Sequence, residues 1–270
     1  MNTISLPASL TWLQNLDFQY KLGICERIFS KKLATKGICW TQTGAGIPWK
    51  LDLNNPTHRW IVYGKYEEPL FINWAKKFLP TNGIVVDSGA NIGQMLMYLA
   101  QYIPKGKVLA FEPGTEAANW LEECLLVNSN LPVEVIRAGL GASVDRVRLN
   151  HIGENGGFGH GAWSQISQTE GEAIRIVRLA DELTSRSITT VDLWKLDVEG
   201  YEIPALQGAE EFLKRQRIKA IYAELHGENG KRVRDYLAKF GYHCHLITPQ
   251  GKPYKISQLP DRCNGLFLLQ

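Results

Sequence analysis

Little in this sequence points to a special environment. The five cysteines, Cys25, Cys39, Cys124, Cys244 and Cys263, are odd in number and widely spaced. None forms a C-x-x-C pair, which argues against a zinc cluster or a dithiol redox motif and for free thiols in a reducing compartment. Long apolar runs are missing too: none approaches the roughly 18 residues needed to span a bilayer. The start, MNTISLPASLTWLQNLDF, lacks a basic stretch followed by an apolar core and a small-residue cleavage site. No secretion signal is therefore expected, and the cytoplasm is the expected location. Charge of one sign is also scarce. Thirty Lys and Arg against 27 Asp and Glu leave a formal +3, too little to imply by itself a nucleic-acid or membrane partner. What is present is ordinary globular usage, 44% hydrophobic and 21% charged over 270 residues, enough for one sizeable core.

The first 80 residues differ from the rest. Trp12, Trp40, Trp49, Trp60 and Trp74, five of the eight tryptophans, lie there. Leu10, Leu13 and Leu16, then Leu22, Ile28 and Phe29, predict one or two short helices within 8–34. Gly37, Gly44, Gly46, Pro48 and Pro56 punctuate an irregular or stranded stretch over 37–63, and a helix is expected over 67–79, ended by Pro80. Residues 1–80 read as a cap packed on a main domain at 81–270.

In that domain strand and helix signals alternate. Strands are expected at 83–87, 107–113, 133–140, 191–198 and 218–225, and helices at 92–102, 115–128, 202–213 and 230–240. Late strands at 242–247 and 265–269 suit an antiparallel pair closing an edge. Apolar strands separated by helices imply an α/β fold with a mostly parallel central sheet covered on both faces. An inserted segment at 141–190, with glycines at 153, 156, 157, 159 and 161, breaks the rhythm. These glycines suit a mobile lid, which with residues 1–60 would cover the acceptor side of a site.

Acidic residues gather where such a sheet binds ligands, at the carboxyl ends of its strands. Asp87-Ser88-Gly89-Ala90-Asn91-Ile92-Gly93 follows one strand and opens a helix. Its G-x-x-x-G spacing is not the G-x-G-x-x-G that cradles a pyrophosphate. Asp87 would repel phosphate and suits an amine or a sulfonium. Gly89 would let backbone approach the ligand, and Gly93 would let the helix pack close to the sheet. Glu112-Pro113 ends the next strand, where a carboxylate can accept both vicinal hydroxyls of a ribose. Together they favour an adenosine-type cofactor with an amino-acid tail. In Lys195-Leu196-Asp197-Val198-Glu199-Gly200-Tyr201-Glu202, three acids crowd the end of a central strand, with Lys195 and Asp197 on one face. They suit either a buried ion pair or groups that orient a hydroxyl and take its proton, with Glu224 and His226 at the next strand tip. The same Asp/Glu/His set is compatible with a divalent cation, although no ligand spacing is specific for one. His151 and His160 flank the glycine cluster and suit either a general base on a mobile loop or plain surface positions; His243 and His245, and the basic run Lys214, Arg215, Arg217 and Lys219 at a helix end, read as surface features, and Phe158 and Trp163 as pocket lining or edge cover.

DSGANIG, AFEP, KLDVEGYE and AEL, in this order and spacing over roughly 63–248, resemble the FkbM family of S-adenosylmethionine-dependent methyltransferases. The resemblance implies a Rossmann-like class I methyltransferase fold, S-adenosylmethionine as cofactor, and O-methylation of a small-molecule hydroxyl, commonly on a sugar or polyketide. It assigns Asp87, Gly89, Ala90, Asn91 and Gly93 to the cofactor loop, with Glu112 and Pro113 at the ribose. Tyr66 and Glu67, in GKYEEP, match a further pattern near the cofactor. Asp197 is the first candidate base, with Glu199, Glu224 and His226 next and Lys195 beside it. Two other readings stay open. One is methyl transfer to RNA or protein, although the N/D-P-P-Y/F motif of base-flipping enzymes is missing. The other is a catalytically dead cofactor-binding scaffold.

Overall fold

The computed structural model describes every residue except 1, 15, 17, 19, 44, 65–67, 152–163, 168 and 270. The N-terminal segment contains α1 (Ala8–Gln14), α2 (Lys21–Ala34), a hairpin of β1 (Ile38–Gln42) and β2 (Pro48–Asp52), then α3 (Pro56–Tyr63) and α4 (Pro69–Phe78). Helix α3 falls in the stretch expected to be irregular. Its signal is local: Asn55 caps it by accepting from Thr57 N at 2.9 Å, and Pro56 opens it.

Next come β3 (Ile84–Ser88), α5 (Leu96–Tyr102), β4 (Lys107–Phe111), α6 (Thr115–Val127) and β5 (Val133–Ile136). The inserted segment follows with β6 (Gly139–Leu140), β7 (Asp145–His151), β8 (Ser164–Ser167), β9 (Glu172–Val177) and α7 (Leu179–Ser185). The chain then returns through β10 (Val191–Leu196), α8 (Glu202–Gln207), α9 (Glu210–Lys214), β11 (Ile218–His226) and α10 (Gly227–Ala238) to β12 (Tyr242–Ile247), β13 (Pro253–Lys255) and β14 (Arg262–Leu269).

Eight strands form the main sheet in the order β13-β12-β14-β11-β10-β3-β4-β5. The five from β11 to β5 are mutually parallel, and this α/β sheet has the expected Rossmann-like class I architecture. Chain order reverses between β3 and β10, which puts a ligand crevice at their carboxyl ends. Strand alternation sorts the side chains. Val85, Val108, Leu193 and Ala220 face a core shared with α5, α6 and the N-terminal helices, while Val86, Leu109, Trp194 and Ile221 face the layer of α7–α10. All six residues of β10 are buried, as a strand covered on both faces requires.

Several elements depart from expectation. The 133–140 strand divides: Ala138 N turns back to Ile136 O at 2.8 Å, and Gly139–Leu140 pairs with β9 in a separate four-stranded sheet, β6-β9-β7-β8. The 92–102 helix starts only at Leu96, because Asn91 and Gly93 take positive φ values of 49° and 94°. The 202–213 helix breaks at Gly208, whose added Cβ would lie 2.1 Å from Gly141 O. The late strands pair antiparallel, but β14 lies between β11 and β12, and β13 takes the edge. Ile28 and Leu16, two of the apolar positions from which short helices were expected, are 61% and 37% exposed.

Candidate functional site

The β3–α5 turn is held from two sides. Gly89 N and Ala90 N donate to Phe111 O of β4 at 3.0 and 3.1 Å. Asn91 N donates to Glu112 Oε2 at 2.7 Å, and Gly114 N to Glu112 Oε1 at 2.8 Å. Glu112 therefore ties its own strand end to the neighbouring turn. Its burial pushes the carboxyl up to about 7, against the pull of those two N–H groups.

Gly89 has φ +74°, and a Cβ there would lie 1.9 Å from Asp197 O. The position thus requires glycine on account of protein backbone beyond β10, and Gly89 also lines the cavity described below. Gly93 does not line the cavity. Its added Cβ would stand 2.8 Å from Leu121 Cδ1, so it admits helix α6.

Lys195 and Asp87 are register partners on adjacent strands, and both are buried. Lys195 Nζ lies 3.3 Å from Asp87 Oδ1 and 3.2 Å from Asp197 Oδ2. Burial opposes the ammonium charge, but Asp197 and Asp87 outweigh it and raise the Lys195 pKa. Burial likewise pushes the Asp87 carboxyl up, with Lys195 opposing. Asp87 Oδ1 accepts no aligned hydrogen bond.

Asp197, Glu199 and Glu224 bring carboxylate oxygens within 4.8 Å of one another, close enough to share a divalent cation. Burial first, then Asp197 and Glu202, push Glu199 up to about 7. Burial, Asp197 and Glu199 push Glu224 up to about 8, with Arg262 opposing. His226 Nε2 lies 3.0 Å from Glu224 Oε1 without hydrogen-bond alignment, and burial followed by Arg262 lowers its pKa. Glu202, the third acid of the motif, has a different part: its Oε1 accepts from Val198 N and Gly200 N at 3.3 and 3.1 Å and so shapes the turn.

One cavity of about 640 Å³ is lined by Asp87, Gly89, Ala90, Asn91, Glu112, Pro113, Lys195, Asp197, Glu199, Glu224 and His226. Tyr66 and Glu67, the 153–161 glycines, Phe158, His160 and Trp163 lie outside the described residues. Sequence reasoning missed Glu68, which lines the cavity and accepts hydrogen bonds from Tyr222 of β11 and Asn264 of β14. Its signal was available, since the acidic pair in GKYEEP precedes the proline that opens α4. Leu22, Thr57 and Trp60 add a wall from the N-terminal segment, and Leu149, Ile174 and Ile176 an apolar wall from the inserted sheet. No helix among the described residues is long and apolar enough to cross a membrane.

The chain is 28% identical over 162 residues to methyltransferase sdnD of Sordaria araneosa, covering 49% of this chain and 62% of that protein. It is 28% identical over 175 residues to the 31-O-demethyl-FK506 methyltransferase FkbM of Streptomyces tacrolimicus, covering 54% and 66%. The chain thus spans a little under two thirds of these relatives' lengths. Among solved structures it is similar to a SAM dependent methyltransferase from Aquifex aeolicus, with 16% identity, 74% of this chain and 88% of that chain covered, and a TM-score of 0.43. Residues 87–244 match the methyltransferase FkbM domain. That span is more than half of the 270 residues and runs from Asp87 through the Lys195–Glu202 motif and Glu224. The chain belongs to the methyltransferase FkbM domain family, a family of S-adenosylmethionine-dependent methyltransferases.

Proposed function

We propose that this chain transfers a methyl group from S-adenosylmethionine to a hydroxyl of a sugar, a glycoside or another small natural-product acceptor. The observation that carries the reading is a shared cavity. The Asp87–Asn91 turn and Glu112 meet Asp197, Glu199 and Glu224 around one cavity.

The residues present fit the cofactor. Asp87 Oδ1 is buried without an aligned hydrogen bond, which suits the ammonium of an amino-acid tail. Each Glu112 oxygen accepts one backbone N–H, and a carboxylate has about four acceptor sites, so capacity remains for two ribose hydroxyls. When bound, S-adenosylmethionine supplies a methyl group already activated by its cationic sulfur. The protein's work is then to position two atoms, exclude water and hold a proton.

Lys195 fixes Asp87 and Asp197 relative to each other, coupling the cofactor side of the cavity to the acid cluster. Asp197 is the first candidate to receive the hydroxyl proton. Glu199 and Glu224, pushed up to about 7 and 8, have proton affinities matched to neutral pH and can take it in relay. Trp60 offers a flat apolar face suited to a sugar ring. Glu68, Asp197, Glu199 and Glu224 offer acceptors for hydroxyls and oppose the phosphates of a nucleic acid.

A methyl-transfer screen with labelled S-adenosylmethionine over sugars, glycosides, phenols and polyketide alcohols tests the proposal. Product carrying a methyl ether is the expected result. Transfer only to RNA or protein would replace the acceptor class. Calorimetry showing no S-adenosylmethionine binding would overturn the reading as a whole.

A further inference from the structure

Helix α2 turns a stripe of apolar and basic side chains to the outside. Tyr20 at its N-cap is 76% exposed, Ile24 42% and Ile28 61%. Their i, i+4, i+8 spacing places them along one side of the helix, turned away from Cys25, Phe29 and Leu33, which are buried. Arg27, Lys31 and Lys32 share the outward side, with Lys36 just beyond the helix. None of the four is ion-paired to a described residue. The one acid of the helix, Glu26, is bound to Arg59 and Tyr63, so α2 presents no negative charge outward. Lys21 Nζ donates to Gln14 O at 3.0 Å, bringing the end of α1 against the start of α2. Trp12, 65% exposed, lies in α1, and Leu16, 37% exposed, in the connection between α1 and α2.

We infer that this helix face docks on an anionic lipid surface. Isoleucines suit the acyl boundary, Tyr20 the headgroup layer, and Arg and Lys the lipid phosphates. The charge is what selects the occupant. A second copy packed face to face would set Arg27, Lys31 and Lys32 against their own counterparts, which is repulsive. A peptide partner would call for a groove, whereas a single convex helix matches a planar surface. The formal +3 of the whole chain gives no hint of this, because the excess is local to one face. On its other side the helix reaches the cavity through Leu22, so docking would bring the wall of that cavity next to the lipid. The inference stands apart from the methyl-transfer reading.

The test is flotation of the full chain with phosphatidylcholine vesicles, with and without phosphatidylglycerol. Binding to the anionic vesicles alone, weakening as salt is raised, is the expected result. Ile24→Ser with Ile28→Ser, and separately Lys31→Glu with Lys32→Glu, should each lower the partition coefficient by roughly tenfold or more. Circular dichroism and S-adenosylmethionine affinity should stay at wild-type values in both variants. Equal binding to neutral vesicles, no binding at low salt, or undiminished binding by both variants would overturn the inference. So would a concentration-dependent dimer on size exclusion that the isoleucine changes abolish.

Discussion

Glu112→Gln separates the acid at the β4 tip from everything around it. Glu112 is 7% exposed, and its carboxyl is pushed from 4.5 to about 7. Between those values the folded protein holds the proton and the unfolded chain does not. Stability from this group is therefore fully present below pH 4.5 and is lost as the pH rises through 7. The loss amounts to roughly 3 kcal/mol, a large part of the stability of an ordinary domain. Glutamine cannot titrate, so the variant lacks that loss. It carries instead a nearly constant penalty of about 1–3 kcal/mol, because one amide oxygen must serve two buried N–H groups. Urea unfolding followed by tryptophan fluorescence, on both proteins at about pH 5 and about pH 8, measures the difference. The variant should gain roughly 2.5 kcal/mol relative to wild type between those two pH values, since part of the loss precedes pH 5. Parallel pH curves would refute the reasoning, because other carboxyls with raised values titrate in both proteins and cancel. Cofactor affinity reports on the same group. If ribose hydroxyls hold Glu112 ionised, wild-type affinity should fall about tenfold per pH unit below 7, and calorimetry of Glu112→Gln should show weaker binding without that slope.

Three further outcomes follow from the cavity. Asp197→Asn should abolish methyl transfer while circular dichroism and cofactor affinity stay within a few-fold of wild type, because the Asp197 side chain is 38% exposed and Lys195 keeps Asp87 as a buried partner; loss of folding would instead mark the Lys195 pairing as chiefly structural. Gly89→Ala and Gly200→Ala both force a side chain to positive φ, but only Gly89 faces backbone at 1.9 Å, and nothing lies within 4 Å of Gly200. The Gly200 variant should lose about 1–2 kcal/mol and the Gly89 variant clearly more, and equal melting temperatures would contradict the close approach. Turnover should rise as Glu199 and Glu224 lose their protons through about 7 and 8. In Glu224→Gln the upper part of that rise should vanish from the pH–rate profile.

The strand tips were legible because each is an apolar run closed by an acid, and period-two alternation alone puts Lys195 and Asp197 on one face. What was not legible depends on tertiary neighbours. Gly89 is required by the Asp197 carbonyl, more than a hundred residues along the chain, and no local pattern announces such an approach. Glu68 was passed over because its partners, Tyr222 and Asn264, come from strands far along the chain. The split after Ile136 was hidden because VEVIRAGL reads as one apolar run; the break is a matter of which sheet each half pairs with. Ile28 shows another limit, although the helix it pointed to is present. Helical spacing identifies a stripe of apolar residues, but not whether the protein itself covers it.

The position of β14 bears on how the chain acquires its cavity. It is last in sequence among the strands of the sheet, yet it lies inside it, hydrogen-bonded to β11 and β12. Until residues 262–269 insert, both neighbours present open edges, the templates from which intermolecular pairing starts. Arg262, Cys263 and Asn264 also form part of the cavity lining. The cavity therefore cannot close before residues 262–269 have paired with β11 and β12, and a chain in which that strand is not yet inserted is the species most exposed to aggregation.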